Sequence, residues 1–357
     1  MVITETSTTP AAIAKQRGGG LGRFILWRAL LIIPTVFILV TMVFLLMRTL
    51  GNPISASVGD RLPPEQLAER VAAAGYDRPL IVQYIEYLGQ VFTGNFGVTF
   101  SDRRPVTDVL LTFGSATLEL AIYTLIVALI VGLPLGMLAA YYRDRGPDAI
   151  LRVFAIFTYA TPVFFSGLIM KLIFGVWLGW LPVSGRASIA TELQLQMLPD
   201  PSGIYLIDAL RTGNMANVVD VLLHAILPAL TLGMMFAGVF LRLVRTNMIG
   251  TIGREYIDSG RSRGVGEYRL VTKHAYRPAL IPILTVIGLQ IALLLGGAVL
   301  TETTFEWKGL GFQLAHYLSA RDFVAVQGIV ALLAVIVALS NFVVDVLAAL
   351  IDPRVRY

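Results

Sequence analysis

The chain has 357 residues, of which 56% are apolar and only 14% charged, and its formal net charge is +5. Soluble domains usually carry about 25% charged residues, and a chain this apolar cannot bury its surface economically in water. The lack of cysteine excludes disulfides, thiol nucleophiles, zinc–thiolate sites and iron–sulfur clusters. These figures indicate an integral membrane protein.

The N-terminal part of the chain is predicted to contain a tail, one membrane span and a large external segment. Residues 1–22 are rich in Thr, Ala and Gly, and we expect a disordered cytoplasmic tail. Residues 23–112 are predicted to form the first transmembrane helix and an external loop domain. Within that domain, the Pro-Pro-Glu sequence at 63–65 and the glycine at 75 bracket a short predicted helix.

Residues 113–351 are predicted to form a five-helix core, followed by a cytoplasmic tail at 352–357. An apolar segment of about 20 residues crosses roughly 30 Å of hydrocarbon. Six segments of the whole chain meet this criterion. They are 29–47, 120–142, 153–185, 221–241, 279–300 and 323–344.

Few polar groups interrupt these segments. Lys171 lies late in the third, where its long stem can reach the outer boundary, and Glu119 lies at the edge of the second. Two glycine pairs, at 132 and 136 and at 175 and 179, match the small-xxx-small pattern of closely packed membrane helices. A long external loop at 182–220 separates the third and fourth segments.

The distribution of basic residues predicts the orientation. If the N-terminus is cytoplasmic, 17 of the 28 Lys and Arg residues lie on the inner side. Cytoplasmic loops of membrane proteins carry an excess of Lys and Arg. Both termini are therefore predicted to be cytoplasmic.

The cytoplasmic loop at about 249–278 has a distinctive order of elements. Arg and Lys are spaced along sequence of helical composition, and Gly264 separates 255–263 from 267–276. This pattern predicts two short helices that meet at a bend. A basic loop that touches anionic lipid is the alternative interpretation, but such a loop needs only charge and no ordered pair of helices.

The motifs of several enzyme classes are missing from the sequence. The three histidines, His224, His274 and His316, are far apart, and neither a zinc-protease motif, a serine-hydrolase motif nor a phosphate-binding P-loop occurs. We therefore predict no catalytic residue and no metal-binding residue, and the chain cannot itself be a P-loop ATPase.

The segments 255–265 and 273–282 resemble the EAA loop of binding-protein-dependent ABC importer permeases. Further motifs resemble the peptide/nickel subfamily, and within it the B-type subunit of dipeptide and oligopeptide permeases. They are LGNP at 50–53, YDRPL at 76–80, ATPVF at 160–164, LPVSG at 181–185, LPALTL at 227–232, FEWKGLG at 305–311 and DPRVR at 352–356. Each motif alone is weak evidence for this subfamily. Their occurrence in this order along nearly the whole chain is highly specific for it.

Some positions depart from the family pattern. The EAA triplet is replaced by Asp258, Ser259 and Gly260, although Gly264 stands at the expected offset. Lys308 stands where the family usually has proline, and the external loop before the fourth span is long for the subfamily. These departures weaken any transfer of fine substrate preference.

The resemblance implies an all-α integral membrane protein, with six transmembrane helices and the fold of a type I ABC importer transmembrane domain. It implies a permease subunit in the bacterial inner membrane that forms the path for short peptides. The implied partners are a homologous permease, two ATPase subunits or a fused ATPase, an external substrate-binding protein and membrane lipid, with no nucleic acid. ATP and Mg would be bound by the ATPase subunits, so no cofactor is expected in this chain.

The resemblance also implies a coupling helix that docks on an ATPase. Basic side chains of the loop, such as Arg269, can bond carboxylates or carbonyls of that partner. The ATPase-coupling residues are predicted to be Glu255, Asp258, Arg261, Ser262, Arg263, Gly264 and Val265. The residues that bind substrate stay unassigned, because one sequence does not show which helix faces line the path.

Two alternatives stay open. A nickel, glutathione or glycoside importer shares much of the same signature. A stand-alone secondary transporter would be expected to show inverted repeats and ionisable residues within the membrane, and neither is evident in the sequence.

Overall fold

The computed structural model describes residues 21–49, 51–52, 54–55, 63–73 and 75–351. Every regular element in these residues is helical, apart from an isolated antiparallel bridge between Val98 and Pro105. The first helix begins at Leu21 and so includes two residues that the sequence assigned to the tail. The rest of that tail and the C-terminal tail at 352–357 lie outside the described residues.

The helices differ widely in length. Two π-helical segments interrupt the α-helical pattern, one at Lys171–Trp177 directly after α6 and one at Leu270–Ala275 directly before α11. The α-helices are α1 Leu21–Thr49, α2 Pro64–Ala73, α3 Leu80–Phe92, α4 Val106–Tyr141, α5 Gly146–Ala160, α6 Val163–Met170, α7 Ile189–Gln196, α8 Tyr205–Arg211, α9 Met215–Ile252, α10 Glu255–Ser262, α11 Tyr276–Phe305, α12 Leu310–Ser319 and α13 Phe323–Ile351.

Helices α1, α4, α9 and α13 are each long and apolar enough to cross a membrane. The predicted fifth span, 279–300, lies within α11, whose 30 residues extend over roughly 45 Å. The short external helix predicted after the proline pair is α2. All-α architecture is therefore confirmed, while the number of spans and the side of the termini stay predictions.

The third predicted span is broken. Helices α5 and α6 meet at an angle of 103°, and the break falls at Thr161 and Pro162. A proline disfavours helical backbone in the residue before it, and Thr161 accordingly has an extended conformation, with φ −79° and ψ 127°. The apolar run at 153–185 is thus two helices at a steep angle, where the sequence predicted one continuous span.

Helices α4 and α9 approach each other closely along one glycine-lined face. A Cβ atom at Gly132 would lie 2.8 Å from the carbonyl oxygen of Ala237, and one at Gly136 would lie 2.6 Å from Cβ of Val244. Buried side chains of both helices, among them Phe240, fill the core around this contact. The close packing predicted for the first glycine pair is confirmed.

The second glycine pair has a different role. Gly179 has a φ of +64°, which ends the helix, and nothing lies within 4 Å of where its Cβ would be. Gly175 lies against Val183, which follows only a few residues later in the chain. This pair therefore shapes a local turn and does not pack two spans together.

An ion pair between a fully buried carboxylate and a partly exposed arginine joins α5 to α9. Arg245 donates to the Asp148 carboxylate from Nε at 2.6 Å and from Nη2 at 2.7 Å, and the backbone N–H of Asp144 donates to it at 3.0 Å. Asp148 is 0% exposed, and Arg152 lies 3.7 Å away as a second cation. The pairing is bidentate, the strongest geometry available to a guanidinium and a carboxylate.

Gly136→Ala is expected to destabilise the protein by about 1–3 kcal/mol, because the added methyl forces α4 away from α9. The matched control is Gly250→Ala in α9, where nothing lies within 4 Å of the added Cβ. Thermal unfolding of both variants in detergent measures the difference. Equal stability of the two variants would contradict the close contact.

Arg245→Ala is expected to cost about 3–5 kcal/mol of unfolding free energy, because it leaves the buried Asp148 carboxylate without its main partner. The double variant Asp148→Ala with Arg245→Ala removes both charges and should recover part of that loss. Denaturation of the two variants side by side tests this, and a double variant no more stable than Arg245→Ala would show that the pair is not the cause.

Candidate coupling site

Helix α10 follows the long helix α9 after a two-residue link and is fixed to the base of the bundle by one face. Ile257 is buried, with 1% exposure, among Met248 of α9 and Leu270 and Val271 of the π segment. A Cβ atom at Gly260 would lie 2.8 Å from a methyl carbon of Leu270. The position of α10 is therefore determined by the end of α9 and the start of α11.

The opposite face of α10 is exposed and polar. Tyr256 is 48% exposed, and it is the one large apolar side chain of the eight-residue helix that is exposed. Tyrosine and arginine are enriched in protein interfaces. Six of the seven residues predicted to couple to an ATPase are exposed at this face or just beyond it: Glu255, Asp258, Arg261, Ser262, Arg263 and Gly264.

The predicted bend is present at Gly264, which has a φ of +80°. The N–H of Gly264 donates to the carbonyl of Arg261 at 3.0 Å, and the N–H of Val265 donates to the carbonyl of Gly260 at 3.1 Å. This glycine-terminated helix end satisfies carbonyls that the helix leaves free. Val265, half-buried, then packs on the core, so the chain leaves α10 in a fixed direction.

An ion-pair bridge braces the bend. Arg261 donates to the Glu267 carboxylate from Nε at 3.0 Å and from Nη2 at 2.9 Å, and to Asp258 from Nη1 at 2.5 Å. The guanidinium holds the pKa of Glu267 below its ordinary value of 4.5. Arg261, expected from the sequence to face a partner, is thus engaged within the loop. Arg263 makes no ion pair within the described ranges and is an exposed cation available to a partner.

The segment after the bend differs from the predicted second short helix. One helical turn at Glu267–Arg269 passes into the π segment and continues directly as α11. Pro278 lies in the first turn of α11, directly after the π segment. The bend therefore connects α10, through the π segment, to the long helix α11, which contains the predicted fifth span.

On the external side, the structure assigns partners that sequence patterns did not show. Glu119, 2% exposed, accepts from Arg186 Nη2 at 2.5 Å and from the backbone N–H of Leu206 at 2.9 Å. Lys171 donates to the carbonyl of Thr304 at 2.8 Å, where the sequence predicted only a stem reaching the boundary. The sequence offered one signal for the pair of Glu119 with Arg186. It is an acid at the edge of an apolar segment, followed by a long loop that contains an arginine.

The fold is that of a helical membrane component with a small, exposed helix, α10, fixed beside the end of α9. Residues 132–357 match the family described as binding-protein-dependent transport system inner membrane component, and residues 21–121 match the N-terminal family of the same systems. The chain belongs to this family of inner membrane transport components. It is a membrane permease component of a transport complex.

Relatives match almost end to end. The di/tripeptide transport system permease protein of Pseudomonas aeruginosa is 39% identical over 94% of this chain and 98% of its own length. The dipeptide transport system permease protein of Escherichia coli K12 is 37% identical over 94% and 99%. The glutathione transport system permease protein of Salmonella typhi is 34% identical, again over 94% and 99%.

Acid is expected to loosen the bend. Because the pKa of Glu267 is depressed by Arg261, the bridge is at full strength above about pH 4.5, the ordinary value, and is lost as pH falls through the depressed value. The chain has no cysteine, so Ser259→Cys with Tyr268→Cys provides two unique spin-label positions. The distribution of distances between the two spin labels should broaden at low pH.

Glu267→Gln in the same labelled background should show the broad distribution already at pH 7. An unchanged, narrow distribution in that variant would contradict the bracing role of the bridge.

Proposed function

We propose that this chain is the permease subunit of an ATP-driven importer and that α10 is its coupling helix. The observation that carries the proposal is the placement of α10: a buried face fixed by Ile257 and an exposed polar face directed away from the bundle. No P-loop is present in the sequence, so the energy must come from a partner.

The proposed coupling route begins at the exposed face of α10, which docks on an ATPase subunit. When two such subunits close on ATP, α10 moves as a rigid body with the end of α9, because Ile257 and Met248 are packed together. Helix α9 carries α4 with it through the glycine contact and α5 through the Asp148–Arg245 pair. Such a switch between inward-facing and outward-facing states is a two-state, rigid-body transition.

The proposed assembly contains a second, homologous permease, two ATPase subunits or one fused ATPase, and an external binding protein that delivers the substrate. ATP and Mg are bound by the ATPase subunits. The path for the substrate lies between the two permeases, so this chain supplies one wall of it. The subunit itself performs no chemistry.

The proposed substrates are short peptides. Relatives named for di- and tripeptide or dipeptide transport, at 37–39% identity over nearly the whole chain, support this class. A glutathione importer is the second candidate, because a relative named for glutathione transport is 34% identical over the same span. Nickel and glycosides are further substrates of importers that share the signature.

The test is affinity purification of the tagged chain in mild detergent, mass spectrometry of what co-purifies, and ATPase assays with each substrate class. We expect a homologous permease, one or two P-loop ATPases, and hydrolysis stimulated by peptides together with the co-purified binding protein. Stimulation by glutathione, nickel or a glycoside alone would replace the peptide proposal. A chain that purifies alone and catalyses flux by itself would overturn the importer proposal.

Gly264→Val is expected to lower peptide uptake by tenfold or more while membrane abundance stays normal. A β-branched side chain is strained at the φ of +80°, so the exit from α10 shifts and the docking face turns. Gly264→Asn, which tolerates this conformation better, should retain more uptake. The matched control is Gly266→Ala, since Gly266 has a φ of −60° and open space around its Cβ position.

Uptake of a labelled dipeptide by cells, normalised to the amount of the subunit in membranes, measures this effect. If Gly264→Val transports as well as Gly266→Ala, the bend has no role in coupling.

A further inference from the structure

An external cavity of about 310 Å³ lies between the loop helices α7 and α8 and the outer ends of α4 and α12. Its walls include Phe113, Arg186, Glu192, Leu195, Tyr205 and Lys308. The volume reaches the lower end of the range for small-molecule pockets, about 300–1,000 Å³. The lining is mainly apolar with a few charged groups, which is the usual composition of such pockets.

The loop that forms one wall is a packed structure with its own small core. Leu195 of α7 and Ala209 of α8 are buried together with Val218 and Val221 of α9. Glu119 of α4 fixes the start of α8 by accepting from the backbone N–H groups of Tyr205 and Leu206. The cavity wall is thus fixed to two membrane helices.

Two side chains of opposite charge at the cavity retain capacity for further bonds. Lys308 Nζ and Glu192 Oε2 are 4.0 Å apart, longer than a charge-assisted hydrogen bond of about 2.7–2.9 Å. Lys308 is 59% exposed and Glu192 19% exposed in their side chains. The third carboxylate of the lining, Asp208, is already engaged with the backbone N–H groups of Ser202 and Gly203.

Arg186 is held in the cavity wall by contacts within the protein. It is 5% exposed, its Nη2 donates to Glu119 and to the carbonyl of Gly203 at 2.8 Å, and its guanidinium lies 3.6 Å from the centre of the Tyr205 ring. Its Nε is buried and has no hydrogen-bond partner in the described part of the chain. Lys308 and Glu192 are therefore the charged groups of the lining that a ligand can reach.

Two departures from the family pattern meet at this cavity. Lys308 stands where proline is usual, and Glu192 belongs to the external loop that is long for the subfamily. The structure brings both to the same lining, although 116 positions separate them in the sequence.

We propose that this cavity binds a free short peptide as a zwitterion. The peptide carboxylate accepts a hydrogen bond from the Lys308 ammonium, and the peptide α-ammonium donates to the Glu192 carboxylate. An apolar peptide side chain packs on Phe113 and Leu195. A simple anion would face Glu192 and a simple cation would face Lys308, so a ligand with both charges fits best. The inference rests on the proposal that the importer carries peptides.

The experiment uses the assembled importer in lipid nanodiscs without its external binding protein and measures equilibrium binding of radiolabelled dialanine. Lys308→Met and Glu192→Gln should each weaken binding at least about tenfold, since each removes one charge-assisted bond. N-acetyl-dialanine and dialanine amide, which each lack one charge, should compete poorly. Both variants alter accessible side chains, and Glu69→Gln on the exposed helix α2 is the matched control.

A second arm measures dialanine transport by the same complex with its binding protein present. Transport without any dialanine binding to the nanodisc complex, or binding that both variants leave unchanged, would overturn the inference and leave the peptide importer standing. A complex that neither transports nor binds dialanine would overturn both proposals.

Discussion

Buried carboxylates hold the turns and short helices that connect the long helices of this protein in place. Backbone N–H groups next to hydrocarbon have no water to bond, so each connection needs an internal acceptor. Charged acceptors form shorter and stronger bonds than neutral ones. The acceptors and their backbone donors are Glu119 with Tyr205 and Leu206, Asp148 with Asp144, Glu302 with Phe312, and Asp322 with Phe100 and Ser101. The wall of the external cavity depends on the contacts of Glu119.

Helix α9 connects the external loop at 182–220 with α10. It has 38 residues, or roughly 57 Å of helix. Its first turns contribute Val218 and Val221 to the core of the external loop, and Met248 near its end packs on Ile257 of α10. A displacement at α10 therefore reaches the external loop through a single internally bonded element. No chain of separate side-chain movements is needed to link the two faces of the membrane.

Apolar runs and glycine positions predicted much of this architecture, because both signals are local. The close contact at Gly132 and Gly136 and the bend at Gly264 follow from spacing within a few residues. The bidentate pair of Asp148 with Arg245 joins positions 97 apart, and no local pattern distinguishes such a pair from ordinary loop charges. The break of the third span was hidden for a different reason. Prolines occur within several predicted spans, and within the described residues the helix turns by 103° only at Pro162. The residue roles at the ATPase-facing surface stay predictions.

At the edge of the external cavity, the neighbouring residues 307, 308 and 309 differ in how much space their side chains have. This difference explains why position 308 can carry a charged side chain. Gly309 cannot carry a side chain, since its Cβ would collide with the buried Glu302 carboxylate. Trp307 is fully buried and donates its indole N–H to the carbonyl of Ala116 at 2.9 Å. Between these two fixed residues, the side chain of Lys308 extends into the cavity and is more than half exposed. A change of residue at 308 alters the charge of the cavity without disturbing the turn, so ligand preference can vary on an unchanged fold.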